Sequence, residues 1–140
     1  AHIPEMLAAL DSRGYRMAIV SNKLQAGVSV MHRQLYAEHV HVAIGEHAGV
    51  RRKPAPDMVL EAIGQLGVKT EDCVYVGDSD VDILTAQGAG LPCISVLWGF
   101  RDREFLLRHG ATTLAAKPSD IVDIMDSGQV LPHPGTTQTQ

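Results

Sequence analysis

Apolar residues recur along the chain with two different periods, and the switches between them outline the elements. Pro4 and Glu5 open a segment in which Met6, Leu7 and Leu10 share one helical face, and Gly14 supplies its stop. Arg16 to Val20 is nearly continuous in apolar character, the mark of a strand buried on both faces. Leu24, Val28, Met31 and Leu35 then step at helical spacing. A short strand is expected at His41 to Ile44, followed by a loop from Gly45 to Pro54 that carries the basic run Arg51-Arg52-Lys53. Val59, Ile63 and Leu66 mark the next helix, closed by Gly67.

The second half repeats the alternation. Cys73 to Val76 reads as a buried strand, Gly77-Asp78-Ser79-Asp80 as a turn, and Asp80 to Gln87 as a helix. Cys93 to Leu97 is strand-like and Trp98-Gly99-Phe100 a loop. A short helix over Asp102 to Arg108, a strand near Thr112 to Leu114 and a helix capped by Ser119 complete the pattern. Strands alternating with helices of this length imply an α/β fold, a Rossmann-like parallel sheet with helices on both faces. Residues 1–126 form the expected core, and 127–140, polar and holding Pro132 and Pro134, an expected disordered tail.

Composition narrows the function classes. At 140 residues the chain has room for one core. The apolar fraction of 45% and charged fraction of 20% are those of a soluble globular domain, and no apolar run reaches the roughly 18 residues that a membrane helix requires. A net charge of −4 argues against a dedicated nucleic-acid binder, whose affinity rests on neutralising phosphates. Cys73 and Cys93 lie in apolar strand-like runs, as buried reduced thiols of a cytoplasmic protein do. The opening Ala1-His2-Ile3-Pro4 carries no initiator methionine, and the expectation is a chain that begins inside a longer protein.

In doubly wound sheets ligands sit at the carboxyl ends of the strands. Those ends carry Ser21-Asn22-Lys23, Gly77-Asp78-Ser79-Asp80-Val81-Asp82 and Trp98-Gly99-Phe100, and Lys53 occupies a loop before a helix. Asp78 and Asp82, four apart, can share one side of a strand-to-helix turn, where they suit either Mg²⁺ or a helix N-terminus. Asp78, Asp80 and Asp82 together exceed what capping needs, which favours a cation. Ser21-Asn22 fits a simple N-cap as well as a pair of phosphate donors. Lys53, stiffened by Pro54-Ala55-Pro56, fits a solvated loop charge as well as a fixed point charge for phosphate.

The order of these segments joins them. Ile19-Val20-Ser21-Asn22-Lys23, then Arg52-Lys53-Pro54-Ala55-Pro56-Asp57, then Tyr75-Val76-Gly77-Asp78-Ser79-Asp80-Val81-Asp82-Ile83 resembles the second, third and fourth motifs of the haloacid dehalogenase (HAD) superfamily of phosphohydrolases. Ala86, Gly88, Ala89, Gly90 and Trp98-Gly99-Phe100-Arg101 extend the resemblance to about Met125, closest to the phosphoglycolate-phosphatase-like branch. It implies that Ser21 and Asn22 bind the transferring phosphoryl group and that Lys53 offsets its charge beside the nucleophile. It implies Asp78 as a Mg²⁺ ligand, with Asp82 positioning the metal shell or Lys53; Asp80 falls on a variable position and takes no role. The implied reaction is Mg²⁺-dependent hydrolysis of a small phosphomonoester, a phosphorylated metabolite, through a phosphoaspartate. Phosphoryl transfer needs positioning and charge neutralisation above all, which a metal and a lysine supply.

One part of the pattern is missing. The superfamily's first motif, Asp-x-Asp on the central strand, supplies the nucleophile, and no such element precedes Ser21. The small cap domain between the first and second motifs is missing too. In the family the first-motif strand lies between those of the second and fourth motifs, so this chain should present two buried strand edges to one another, with poor folding or aggregation as the consequence. Taken literally, the 140 residues should not turn over. The alternative is a non-catalytic HAD-like binding or regulatory domain. A response-regulator receiver domain gathers similar residues, but with its aspartates first and its lysine last. A HAD phosphomutase fits Gly-Asp-Ser and the Trp-Gly-Phe loop less well. His39, His41 and His47 lack metal-ligand spacing. Trp98 and Phe100 either wall the site or pack beneath their loop, and Arg51 and Arg52 either meet a substrate acid group or stay solvated.

Overall fold

Five strands and six α-helices alternate along the computed structural model, which describes residues 2–128. They are α1 (Ile3–Ser12), β1 (Ala18–Leu24), α2 (Gln25–Met31), β2 (Val42–Glu46), α3 (Asp57–Leu66), β3 (Tyr75–Gly77), α4 (Asp80–Ala89), β4 (Cys93–Val96), α5 (Arg103–Arg108), β5 (Thr113–Ala115) and α6 (Pro118–Ser127). Every strand pair is parallel: Ala18 lies opposite Val42, Tyr75 opposite Cys93, and Ile94 opposite Thr113. Side chains that alternate across the strands feed two apolar layers. On one face Val74, Ile94 and Val96 pack against Leu10 of α1 and Ile121 of α6. On the other, Tyr75 packs with Val59 and Ile63 of α3 and Ala86 of α4, while Ala18 and Ile44 pack with Met58 and Ala62 of α3. Helices therefore cover both faces, as the pattern implies.

The sheet is in two pieces. One holds β1 and β2, the other β3, β4 and β5 in that order. The Met17 carbonyl accepts from the His41 N–H at 2.9 Å, so alternation turns Ile19 toward β2 and the backbone groups of Ala18 and Val20 the other way. The Tyr75 N–H donates to Pro92 at 2.9 Å on the β4 side, so Val74 and Val76 turn away from β4. These two edges border a single cavity of about 410 Å³, lined by Ile19 and Val20 on one side and Tyr75, Val76 and Gly77 on the other. The facing edges expected from the sequence are present, without a ladder between them.

Several boundaries differ from the expected ones. β1 starts two residues later than Arg16 and runs through Ser21-Asn22-Lys23, with a register shift between Val20 and Leu24. Leu24 therefore ends the strand instead of entering the helix, and it is 67% exposed. α2 widens into one π-type turn at His32–Tyr36, which shifts the helical phase and leaves Leu35 68% exposed. β2 reaches Glu46 because Gly45 lets it pass close to β1: a Cβ there would lie 2.7 Å from the Lys23 carbonyl oxygen. α6 is not capped by Ser119. Pro118 takes the first position, and the Asp120 carboxylate accepts from the N–H groups of Ala116 and Lys117 at 2.9 and 3.2 Å. The helix also takes in Ser127, the first residue of the expected tail. Residues 129–140, the rest of that segment, lie outside the described residues.

Candidate active site

Lys53 enters the cavity from the loop between β2 and α3, and its backbone is held from β1. The Asn22 side chain bridges it, Oδ1 accepting from the Lys53 N–H at 2.8 Å and Nδ2 donating to the Lys53 carbonyl at 3.2 Å. The neighbouring basic residues are not among those lining the cavity. Arg51 forms a forked pair with Asp57, its Nη2 2.8 Å from Oδ1, and Arg52 pairs with Glu46 at 3.3 Å. Both are therefore engaged with carboxylates of the fold.

The Lys53 Nζ crosses to the other sheet. It donates to Asp82 Oδ1 at 2.9 Å and to the Tyr75 hydroxyl at 3.1 Å. The two charged side chains are 14% and 8% exposed. Tyr75 in turn donates to Asp82 Oδ1 at 2.7 Å, while Asp82 Oδ2 accepts from the Asp78 N–H at 3.0 Å and the Ser79 hydroxyl at 3.2 Å. Each oxygen of Asp82 thus meets two donors. Burial is the largest single influence on Asp82 and pushes its carboxyl up. The Lys53 charge and the bonds from Tyr75, Lys53 and the Asp78 N–H together outweigh it and hold Asp82 below the ordinary carboxylate range. Burial first, then the charge of Asp82, drive the Tyr75 hydroxyl well above its ordinary value, so it stays a donor.

Two glycines make this packing possible. A Cβ on Gly77 would sit 2.3 Å from the Asp82 Cβ, so β3 can meet α4 this closely only at a residue without a side chain. A Cβ on Gly99 would sit 2.3 Å from that of Asp78. The loop after β4 folds over Asp78 through this gap: the Phe100 N–H donates to Asp78 Oδ2 at 3.1 Å, and the Arg101 N–H to the Asp78 carbonyl at 3.3 Å. Arg101 is sandwiched between the rings of Phe100 and Phe105, 4.4 and 4.3 Å from their centroids, and lies 3.8 Å from Asp80. Trp98 lines the cavity, whereas Phe100 is 72% exposed.

Lys53, from the β2–α3 loop, and Asp78 and Asp82, from the turn between β3 and α4 and the first turn of α4, therefore meet at one cavity. Asn22 joins them through the Lys53 backbone. Ser21 lies at the same strand end, its Oγ accepting from the Lys23 N–H at 3.2 Å, but it is not among the residues lining the cavity. Tyr75, Gly77 and Gly99 are contributors that the sequence pattern leaves unassigned. The available signal was a tyrosine in an otherwise apolar buried strand, since a buried phenol seeks a partner.

For a divalent cation, Asp78 offers the fitting group. Its Oδ1 has no hydrogen-bond partner among the described residues, and the side chain borders the cavity. Mg²⁺ binds through one or two carboxylates and keeps several waters, so one such oxygen suits it. Among the described residues no group of three or more His, Cys, Asp and Glu side chains is placed to enclose a metal. His39 bonds Asp11 at 2.8 Å and His47 the Gly45 carbonyl at 2.8 Å, in keeping with structural roles.

Comparison with known proteins places the arrangement. The chain is 39% identical over 97 residues to the phosphoglycolate phosphatase of Xanthomonas campestris, covering 69% of this chain and 44% of that protein. It is 32% identical over 126 residues to the N-acetylmuramic acid 6-phosphate phosphatase of Pseudomonas aeruginosa, covering 89% and 56%. The chain thus spans about half the length of the curated relatives it matches. A crystal structure of a candidate phosphoglycolate phosphatase from Lactobacillus delbrueckii superposes with a TM-score of 0.84 at 38% identity, over 94% of this chain and 53% of that one. A HAD family hydrolase from Deinococcus radiodurans, with bound phosphate and sodium, superposes with a TM-score of 0.78 at 25% identity, over 91% and 59%. The model of the haloacid dehalogenase-like hydrolases matches residues 1–96, from α1 to the end of β4. That match takes in the strand ends of β1 and β3 and the lysine loop, and the chain belongs to the haloacid dehalogenase-like hydrolases.

Proposed function

We propose that this chain is the phosphoryl- and metal-binding part of a Mg²⁺-dependent phosphatase acting on a small, phosphoglycolate-like phosphomonoester. The carrying observation is the union of Lys53, Asp82 and Asp78 at a cavity between two strand edges that have no ladder joining them. Lys53 neutralises phosphoryl charge, Asn22 fixes the Lys53 backbone, and the Ser21 hydroxyl donates from the adjacent strand end. Asp78 holds the cation. Asp82, with each oxygen meeting two donors, acts by positioning Lys53 and Asp78. The cation, when bound, supplies further charge neutralisation. The nucleophilic aspartate comes from a strand outside this chain that occupies the slot between β1 and β3. The phosphate held by the Deinococcus radiodurans protein and the phosphatase relatives support this reading.

The test compares the product of the native gene, with whatever precedes Ala1, and the 140-residue chain in p-nitrophenyl phosphate hydrolysis with Mg²⁺. Turnover is expected from the longer product only, and it is lost in Lys53→Met and Asp78→Asn. Steady turnover by the homogeneous 140-residue chain would overturn the external nucleophile. Phosphate binding without turnover by either form would favour a non-catalytic binding domain.

A further inference from the structure

Three oxygens surround the Lys53 ammonium, which has three protons to donate. Asp82 Oδ1 is 2.9 Å away, the Tyr75 hydroxyl 3.1 Å and the Val20 carbonyl 3.5 Å. The first two are ordinary N–H···O bonds, and the third is at the outer limit of one. Tyr75 ties the first two together, because its O–H donates to the same Asp82 oxygen while its own oxygen accepts from Lys53. The tyrosine is 2% exposed and belongs to a strand otherwise built for packing. A phenylalanine would supply the packing and neither bond. Val20, the weak third partner, turns its carbonyl to the edge of β1 that faces the cavity, so that bond is the one a ligand in the cavity can replace.

Resting on the reading that Lys53 neutralises a phosphoryl group, we propose that Tyr75 is a positioning residue. With Asp82 it fixes two of the three Lys53 N–H bonds, and it thereby aims the third at the cavity, where a phosphoryl oxygen displaces the Val20 carbonyl. The ammonium is a tetrahedral centre on a flexible four-carbon stem. Fixing two of its protons fixes the direction of the last; fixing one leaves it free to rotate.

The experiment measures inorganic phosphate binding in Mg²⁺ buffer for wild type, Tyr75→Phe, Lys53→Met and the double variant, alongside the ¹H–¹⁵N signal of the Lys53 ammonium. Tyr75→Phe is expected to unfold cooperatively, to weaken phosphate binding about tenfold and to broaden the Lys53 signal beyond detection. On the Lys53→Met background the same change is expected to add nothing, which a merely structural role would not produce. An unchanged affinity and an unchanged Lys53 signal in Tyr75→Phe would overturn the proposal, as would an equal loss on both backgrounds. If wild type binds no phosphate, the phosphatase reading fails, and the Lys53 signal in Tyr75→Phe still decides the role of Tyr75. If Tyr75→Phe does not fold, a nuclear Overhauser contact between the Tyr75 hydroxyl proton and the Lys53 ammonium in wild type decides it, and absence of the contact counts against it.

Discussion

The two halves of the sheet are held in different ways. In the three-stranded half, β4 is laddered on both sides, and Asp82, Ser79, Tyr75 and the Asp78 backbone form a dense polar knot directly after β3. In the two-stranded half, β1 and β2 share one ladder with a register shift, and the polar contacts of its strand end run to backbone, from Asn22 to Lys53 and from Gln25 to Ala43 and Gly45. No ladder crosses between the halves. They are joined by apolar packing on both faces and, in the middle, by the Lys53–Asp82 pair. The chemistry and the mechanical seam thus coincide. The residue proposed to neutralise phosphate also bridges the two half-sheets, so removing it disturbs both.

The largest effect is therefore expected at that pair. Lys53→Met leaves Asp82 buried without its cation, and breaking one partner of a buried pair costs about 3 kcal/mol or more. Urea unfolding should show this loss. If the halves are coupled mainly through Lys53, amide exchange in β1 and β2 should accelerate more than in β4. Uniform acceleration across all five strands would mean that apolar packing carries the coupling instead.

The glycines sharpen the comparison. Gly45→Ala drives a Cβ into backbone of β1 and α2, 2.7 Å from the Lys23 carbonyl oxygen and 2.8 Å from the Gln25 Cα. Gly77→Ala drives one into the Asp82 side chain. Each is an overpacking change worth about 2 kcal/mol in chemical unfolding. Their consequences at the site should diverge. Gly77→Ala displaces Asp82 and with it Lys53, and is expected to weaken phosphate binding about tenfold at least. Gly45→Ala loosens the β1–β2 ladder and should leave phosphate binding within about twofold. Equal losses of binding would show that the two halves move as one.

How much of this was legible in the chain depends on the range of the interaction. Apolar continuity at Arg16 to Val20 and Cys73 to Val76 marks strands buried on both faces, and the helical spacing of Val59, Ile63 and Leu66 marks α3, because burial is written directly into those positions. The motif order brought Lys53, Asp78 and Asp82 to one edge. Leu24 and Leu35 were misplaced because a register shift and a π-type turn change the phase without any local sequence signal. Ser119 looked like a cap, but Asp120 reaches back to the preceding N–H groups and takes that task. Tyr75 and Gly99 escaped for another reason. Their roles depend on contacts with Asp82 and Asp78, which approach from α4 and from the preceding turn, and one-dimensional spacing does not encode such approaches.

Acid acts on the seam. The Asp82 carboxyl is depressed in the folded protein, so its contribution to stability is fully present above the ordinary carboxylate range near 4 and is lost as pH falls through the depressed value. Unfolding followed from pH 6 down to pH 3 should show a slope to which Asp82 contributes. Lys53→Met removes the charge that lowers Asp82 and should flatten that slope. Asp57 and Asp120, lowered by Arg51 and by Lys117, lie elsewhere and leave a residual acid sensitivity in the variant. A slope identical in both proteins would place the acid sensitivity outside the seam.

Base acts on the three-stranded half through its two cysteines, and more weakly. Cys73 and Cys93 both border β3 and β4, and burial pushes their thiols up to about 11 and about 12. Both therefore stay protonated in the folded chain at pH 9, whereas in the unfolded chain they ionise near 8.5. A raised folded value contributes stability in full below the unfolded value and loses it as pH rises toward the folded one. At pH 9 the two thiols together should cost about 1.6 kcal/mol relative to pH 7, a loss that Cys73→Ala with Cys93→Ala removes. Alkylation by iodoacetamide reports the same opening: it should be slow at both positions, and Lys53→Met should accelerate it less than it accelerates amide exchange in β1. Equal acceleration would mean that opening the seam also opens the β3–β4 ladder, and the sheet would then behave as one unit in spite of its missing central ladder.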